Sequence, residues 1–247
     1  MTLSLRTLAK KALGITSWNS DEHQSRLIAD PKTIFDVGAN VGQSAKTYRR
    51  LYPNADIWSF EPFPATYKTL CRTLSDERFH PTALALSDRI SKTELNIGAE
   101  SITHSLLRRK TDTGRTIEVQ TDTIDHFCWA NGISNIDILK VDVEGAEERV
   151  FKGAREMFSR GAIRAVFVEV YFRPVYERMS LFDDLNAHLT KFGFGLCGLY
   201  SLSSSGDGFL SFGNALYLRH AESDRSERNG HDRSAALPYE ALAQTGT

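Results

Sequence analysis

The densest chemistry in this chain lies in Asp137-Ile138-Leu139-Lys140-Val141-Asp142-Val143-Glu144-Gly145-Ala146-Glu147. Lys140, Asp142 and Glu144 occupy alternate positions of an apolar run. In extended backbone they share one face until the chain bends, so three ionisable side chains converge where a strand would end. Such groups must pair with one another, meet solvent or meet a ligand. A salt-bridged cluster fixing a strand-to-helix turn is one reading; acid–base chemistry is the other, because a carboxylate among carboxylates has a raised pKa and is suited to take a proton. Glu169, in Val168-Glu169-Val170-Tyr171, ends a second apolar run and is a further base candidate, although a lone strand-end glutamate is as often structural.

A second constellation is Ile34-Phe35-Asp36-Val37-Gly38-Ala39-Asn40-Val41-Gly42-Gln43-Ser44: an apolar strand, a glycine turn and a helix start. Gly38 and Gly42 let a ligand approach the backbone at the carboxyl edge of a first strand. A dinucleotide fingerprint would need glycine where Asn40 and Gln43 stand, and no Gly-Lys-Ser/Thr ending is present for a phosphate loop. Glu61, 19 residues after Gly42, ends the next strand, where a carboxylate accepts both hydroxyls of an adenosine ribose. With Asp36 it gives the turn acidic walls. These repel a diphosphate and suit a sulfonium and an ammonium, the two cations of S-adenosylmethionine.

These residues need strands to carry them. Residues 33–37, 57–61, 82–86, 136–142 and 164–171 read as apolar strands covered on both faces, alternating with helices over 44–51, 64–74, 123–131 and 145–159. Strand and helix in alternation predict an α/β fold with a parallel sheet and right-handed crossovers. Shorter strands are expected at 93–97 and 117–121, and a helix at 181–192. The final strands, 194–200 and 209–218, are joined by Ser203-Ser204-Ser205-Gly206-Asp207-Gly208, too short for a crossover, so they pair as an antiparallel hairpin.

The successive segments Asp36-Val37-Gly38-Ala39-Asn40-Val41-Gly42, Phe60-Glu61-Pro62, Ala85-Leu86-Ser87-Asp88, Thr121-Asp122-Thr123-Ile124-Asp125 and the block 137–147 resemble, in order, the motifs of the FkbM family of S-adenosylmethionine-dependent methyltransferases, over about residues 33–172. The resemblance implies a class I, Rossmann-like sheet of seven strands, mostly parallel with an antiparallel C-terminal hairpin and helices on both faces. It puts the methionine end of S-adenosylmethionine against Asp36, Gly38, Asn40 and Gly42, the ribose on Glu61, and the adenine against the turn at Leu86-Ser87-Asp88. It also implies transfer to a hydroxyl of a sugar, glycan or secondary metabolite, with nitrogen acceptors less common. Asp142 is then read at the methyl or acceptor, with Glu144 or Glu169 as the base. Lys140 orients these carboxylates or lowers a hydroxyl's pKa. His104 falls in a polar loop where the family often has a Ser-Ser-Leu-like stretch near its active site, and Arg108, Arg109 and Lys110 beside it would suit an anionic acceptor. Asp142, Glu144 and Glu169 are also oxygen ligands suited to magnesium, but the resemblance requires no metal and none is assigned.

The remaining features set bounds. At 247 residues, with 41% hydrophobic and 25% charged residues, the chain is expected to form one methyltransferase domain at 31–219, an N-terminal helical cap at 1–30 and a disordered polar tail at 220–247. The cap carries Leu5, Leu8, Ala12 and Leu13 opposite Arg6, Lys10 and Lys11, so it either docks on the domain or touches a membrane surface. Thirty basic against 31 acidic residues give no field favouring nucleic acid, and no apolar run suits a transmembrane span. The three cysteines match no disulfide framework, which with the absent secretory core predicts a cytoplasmic location. The expected partner is a small-molecule or glycan acceptor. Two other readings stay open: N-methylation of an amide or protein side chain, and a catalytically silent binding module.

Overall fold

The computed structural model describes residues 19–98, 103–109 and 114–220. Helix α1 (Ser20–Leu27) precedes β1 (Thr33–Val37), α2 (Gln43–Leu51), β2 (Asp56–Phe60), α3 (Pro64–Leu70) and β3 (Phe79–Thr82). A small sheet follows, made of β4 (Ala85–Leu86), β5 (Ser91–Asn96) and β6 (Thr116–Asp122) in the order β4-β6-β5. The chain then runs through α4 (Ile124–Ala130), β7 (Ile136–Val141), α5 (Glu147–Lys152), α6 (Arg155–Ser159), β8 (Ile163–Tyr171), α7 (Phe182–Lys191), β9 (Phe194–Ser204) and β10 (Leu210–Arg219). The main sheet has seven strands in the order β3-β2-β1-β7-β8-β10-β9, parallel except for β10, which is antiparallel to both its neighbours.

Alternation along the strands explains why both faces are covered. Ile34 lies level with Ile57 and Ile138, and Ile138 with Ala165; all four are buried with Ala45 and Tyr48 of α2. Their sequence neighbours Phe35, Leu139 and Val166 point the other way and join Phe127, Phe151, Phe158 and Leu185 in the larger core. β1 and β7 are adjacent at the centre of the sheet, so their carboxyl ends can bring the two chemical constellations together.

Two elements differ from the sequence reading. The expected strand at 82–86 is two strands in different sheets: β3 ends at Thr82 on β2, and β4 pairs with β6. The expected helix at 145–159 is broken at Gly153 into α5 and α6; a Cβ on Gly153 would lie 2.0 Å from the Ser87 carbonyl oxygen, so only glycine lets the β4 turn pack there. Residues 1–18 of the expected cap and 221–247 of the expected tail lie outside the described residues. Among the described residues, no helix is long and apolar enough to cross a membrane.

His188 on α7 packs against the rings of Phe151, Phe158 and Phe192, and its buried Nε2 has no hydrogen-bond partner. Burial lowers its pKa, and Lys191 and Lys152 add to the shift against Glu148. With the folded pKa below the unfolded one, this site costs no stability while both states are neutral. As pH falls through the unfolded value of about 6.5, the unfolded chain binds a proton that the fold disfavours. His188→Phe is therefore expected to lose less stability than wild type between about pH 7.5 and about pH 5, read as a smaller drop in the urea midpoint.

Candidate active site

The β1 turn is wound by left-handed backbone at Gly38 (φ 79°), Asn40 (φ 48°) and Gly42 (φ 88°). Gly38 is there for a steric reason: a Cβ would stand 1.8 Å from the carbonyl oxygen of Asp142, so the ends of β1 and β7 could not close together. Glu61, at the end of β2, is buried, and both its oxygens accept backbone hydrogen bonds, Oε2 from Asn40 N (2.9 Å) and Oε1 from Phe63 N (2.8 Å). These fix the carboxylate while leaving each oxygen a further lone pair. Burial raises its pKa, and the Phe63 amide, the Thr66 hydroxyl and the Asn40 amide oppose the rise.

Between these turns and the small sheet opens a cavity of about 370 Å³. Its apolar end is lined by Leu84, Ala85, Leu86, Leu95 and Leu106; its polar end by Gly38, Asn40, Lys140, Asp142, Glu144 and Glu169. Asn40 Oδ1 is buried with no hydrogen-bond partner, an acceptor that a ligand ammonium or hydroxyl would satisfy.

Lys140 is nearly sealed, with Nζ 3.0 Å from Asp36 Oδ1, 3.4 Å from Asp142 Oδ2, and donating to Gly38 O at 3.3 Å. Burial alone would lower its pKa, but Asp36 and Asp142 outweigh burial and hold it above the ordinary range. Lys140 is thus a permanent cation that anchors Asp142, not a proton acceptor.

Past Asp142 the chain makes two consecutive left-handed residues, Glu144 (φ 57°) and Gly145 (φ 93°). A Cβ at Gly145 would meet the Tyr176 ring at 2.8 Å. This turn points the Glu144 carboxyl at two tyrosines: Oε2 accepts from Tyr171 OH at 3.1 Å and from Tyr176 OH in a very short bond. Tyr171 OH also lies 2.8 Å from Glu169 Oε2. One hydroxyl carries one proton, so Tyr171 can donate to only one carboxylate at a time, and the arrangement is satisfied when the other carboxyl is protonated. Glu169 is that group: burial, then the charges of Asp142, Glu144 and Glu147, push it up to about 9. For Glu144, burial and Asp142 raise the pKa, while the tyrosine bonds and Arg109 pull it down. Glu144 Oε1 meets no hydrogen-bond donor among the described residues.

The methyltransferase FkbM domain family matches residues 36–196, which span this whole arrangement. The chain belongs to the FkbM methyltransferase family. S-adenosylmethionine is the cofactor of this family, and the chemistry of the cavity is compatible with it: carboxylates that suit cationic and hydroxyl groups, and apolar side chains that suit a purine. Among curated proteins the chain is 26% identical over 164 residues to the 2-O-methyltransferase NoeI of Sinorhizobium fredii, covering 60% of this chain and 66% of that one. It is 29% identical over 170 residues to the 31-O-demethyl-FK506 methyltransferase FkbM of Streptomyces tacrolimicus, covering 56% and 65% respectively. To the hexuronic acid methyltransferase AglP of Haloferax volcanii it is 27% identical over 139 residues, covering 56% and 55%. The chain thus spans slightly less than two thirds of the first two relatives. The crystal structure of methyltransferase FkbM from Methylobacillus flagellatus superposes with a TM-score of 0.50 at 17% identity, over 83% of this chain and 45% of that one.

Within this FkbM-family chain the residues singled out from sequence separate. Gly38, Asn40, Glu61, Lys140, Asp142, Glu144, Glu169 and His104 all line the cavity. Asp36 does not: it is wholly buried and engaged with Lys140 and with Ser59, 3.4 Å away. Gly42 caps α2, and a Cβ there would strike Thr73 at 2.6 Å; its role is to let the helix start close to α3. Ser87 and Asp88 lie outside the cavity, bonded to each other at 3.1 Å, because β4 turns toward β6 and presents Leu84, Ala85 and Leu86 instead. His104 accepts from Gly98 N at 3.2 Å and sits edge-on to Phe63; among the described residues it makes no hydrogen bond to the carboxylate cluster. Burial lowers its pKa.

The motifs read from the sequence assign no role to Tyr171, Tyr176 or Glu147. Tyr171 could have been found, since it alternates with Glu169 on β8; Tyr176 reaches Glu144 across 32 residues, and no local pattern announces that. The oxygens of Asp142, Glu144 and Glu169 come within 4.8 Å of one another, a spacing a hard cation could bridge, although the tyrosine hydroxyls already engage two of them.

Proposed function

We propose that this chain is an O-methyltransferase acting on a hydroxyl of a sugar-containing acceptor. The observation that carries the reading is Glu144, a carboxylate held on one oxygen by two tyrosines and open on the other, at the polar end of the cofactor cavity. When bound, S-adenosylmethionine supplies an electrophilic methyl group on a positive sulfur. Glu61 holds the ribose diol, and Asp142, steadied by Lys140, faces the cationic end. Glu144 takes the acceptor's proton on Oε1 as the oxygen–methyl bond forms. Tyr171 and Tyr176 stabilise that carboxylate before transfer, and the protonated Glu169 keeps a second negative charge from forming beside it. His104 covers the cofactor beside Phe63 and takes no part in proton transfer. The names of two relatives specify methylation at oxygen and a third names a hexuronic acid, which supports a saccharide oxygen as the acceptor.

The full chain incubated with labelled S-adenosylmethionine and a panel of uronic acid glycosides, neutral glycosides, macrolides and amides is expected to label a glycoside oxygen, mapped by mass spectrometry. EDTA is expected to leave that labelling unchanged. Labelling confined to nitrogen overturns the reading. So does an absence of labelling across the panel while S-adenosylhomocysteine binds, which would favour a silent binding module.

A further inference from the structure

Glu147 opens α5 and is 1% exposed; among the described charged residues only Asp36 is more deeply buried. It lies outside the cavity lining and enters the chemistry above only through the charge it adds near Glu169. Its Oε1 accepts two backbone hydrogen bonds, from Val143 N at 3.2 Å and from Gly145 N at 3.1 Å. Those two amides flank Glu144, whose left-handed backbone no non-glycine residue adopts without cost. Its other oxygen, Oε2, is buried with no partner. A buried carboxyl with one oxygen unsatisfied is expensive, and a purely structural helix start would be served as well by an exposed serine or aspartate at the cap. What this carboxyl does instead is bracket one residue.

We propose that Glu147 is a positioning residue for methyl transfer, clamping the amides on either side of Glu144 so that its carboxyl stays between the two tyrosines and the acceptor. The inference rests on the reading of Glu144 as the base. The clamp is completed from the far side by Ser105, whose hydroxyl donates to the Glu144 carbonyl at 2.7 Å, and by the Tyr176 ring packed on Gly145. Three side chains thus agree on a single conformation of residue 144. Glu147 is the member that acts on both of its neighbours, and a glutamine there keeps an oxygen for the same two amides.

The test compares Glu147→Ala and Glu147→Gln in the full chain by amide hydrogen exchange, S-adenosylhomocysteine binding and turnover of the glycoside labelled by the wild type. In Glu147→Ala the Val143 and Gly145 amides are expected to exchange about tenfold faster or more, as loss of a buried hydrogen bond dictates. Turnover is expected to fall at least about tenfold in kcat with KM for the acceptor held, and S-adenosylhomocysteine affinity to stay within about threefold. Glu147→Gln is expected to restore exchange protection and most of kcat, a rescue that loss of packing alone would not show. Unchanged exchange at Val143 and Gly145 in Glu147→Ala overturns the clamp. Faster exchange with wild-type kcat overturns its role in the reaction. If Glu147→Ala does not fold, a Glu147→Gln variant with wild-type protection but kcat as low as that of Glu144→Gln overturns the proposal equally. Failure of the underlying reading looks different: Glu144→Gln would then keep its turnover, and the exchange measurement would still decide whether the clamp exists.

Discussion

Glu144→Gln is expected to lower kcat by about 10²- to 10⁴-fold, the usual contribution of a general base, while leaving S-adenosylhomocysteine binding within about threefold of wild type. Glutamine has nearly the same shape and can still accept from Tyr171 and Tyr176, so the turn and its neighbours persist. The missing property is the ability to take a proton. The pH profile carries the same signature. The base works when deprotonated, so the wild-type rate should rise with pH through the pKa of Glu144, which burial has lifted above the usual carboxylate value. That limb should vanish in Glu144→Gln. Glu169→Gln is the contrasting variant. Its carboxyl already holds a proton up to about pH 9, so an amide replaces a neutral group with a neutral group, and kcat should fall far less. Initial rates for the three proteins across the pH range check both statements; equal losses in the two variants would remove Glu144 from its assigned role.

The contrast between Glu144 and Glu169 also shows where the sequence stops being readable. Alternation along an apolar run located both residues at strand ends, and β1, β7 and β8 formed at nearly the expected positions. Alternation gives a face, however, and not the partner on the next strand. Asp36 looked like a wall of the cofactor site. Parallel pairing sets it level with Lys140, and at that register the carboxylate and the ammonium neutralise each other inside the sheet. Ser87 and Asp88 lie outside the cavity lining for a related reason: the expected third strand changes sheets at Leu84, and the change turns the following residues away from the cavity. Glu144 was placed by strand periodicity, but two left-handed residues end that periodicity there, and the tyrosine that fixes the side chain arrives from the loop after β8. Glycine positions were the most legible of all. Gly38 reads from sequence as a close approach of ligand to backbone and Gly145 stands only within the block 137–147, yet each proves to be a point where a side chain would collide with a neighbouring segment, the Asp142 carbonyl in one case and Tyr176 in the other.

Glu61 lines the cavity with both oxygens held by backbone amides, and its replacement has the second large expected effect. In Glu61→Ala the affinity for S-adenosylhomocysteine, measured by calorimetry, is expected to drop about 100-fold or more. Hydrogen bonds to an ionised carboxylate contribute about 1.5–3 kcal/mol each, and a ribose diol makes two; even with partial compensation by water, about 3 kcal/mol is lost, and each 1.4 kcal/mol is tenfold in Kd. A second cost arises in the protein. Asn40 N and Phe63 N both donate to this carboxylate, and removing it leaves two amides at the cavity wall without their acceptor. Asn40 is held in left-handed backbone partly by that bond, so its unpartnered Oδ1 would also lose its aim. Glu61→Gln separates the two contributions. The amide oxygen can keep one backbone bond and one ribose hydroxyl, so affinity should fall about tenfold, between wild type and alanine. A Glu61→Ala protein with a wild-type melting temperature and a Kd within about threefold of wild type would show that the ribose is held elsewhere, and that the cavity binds its cofactor by its walls alone.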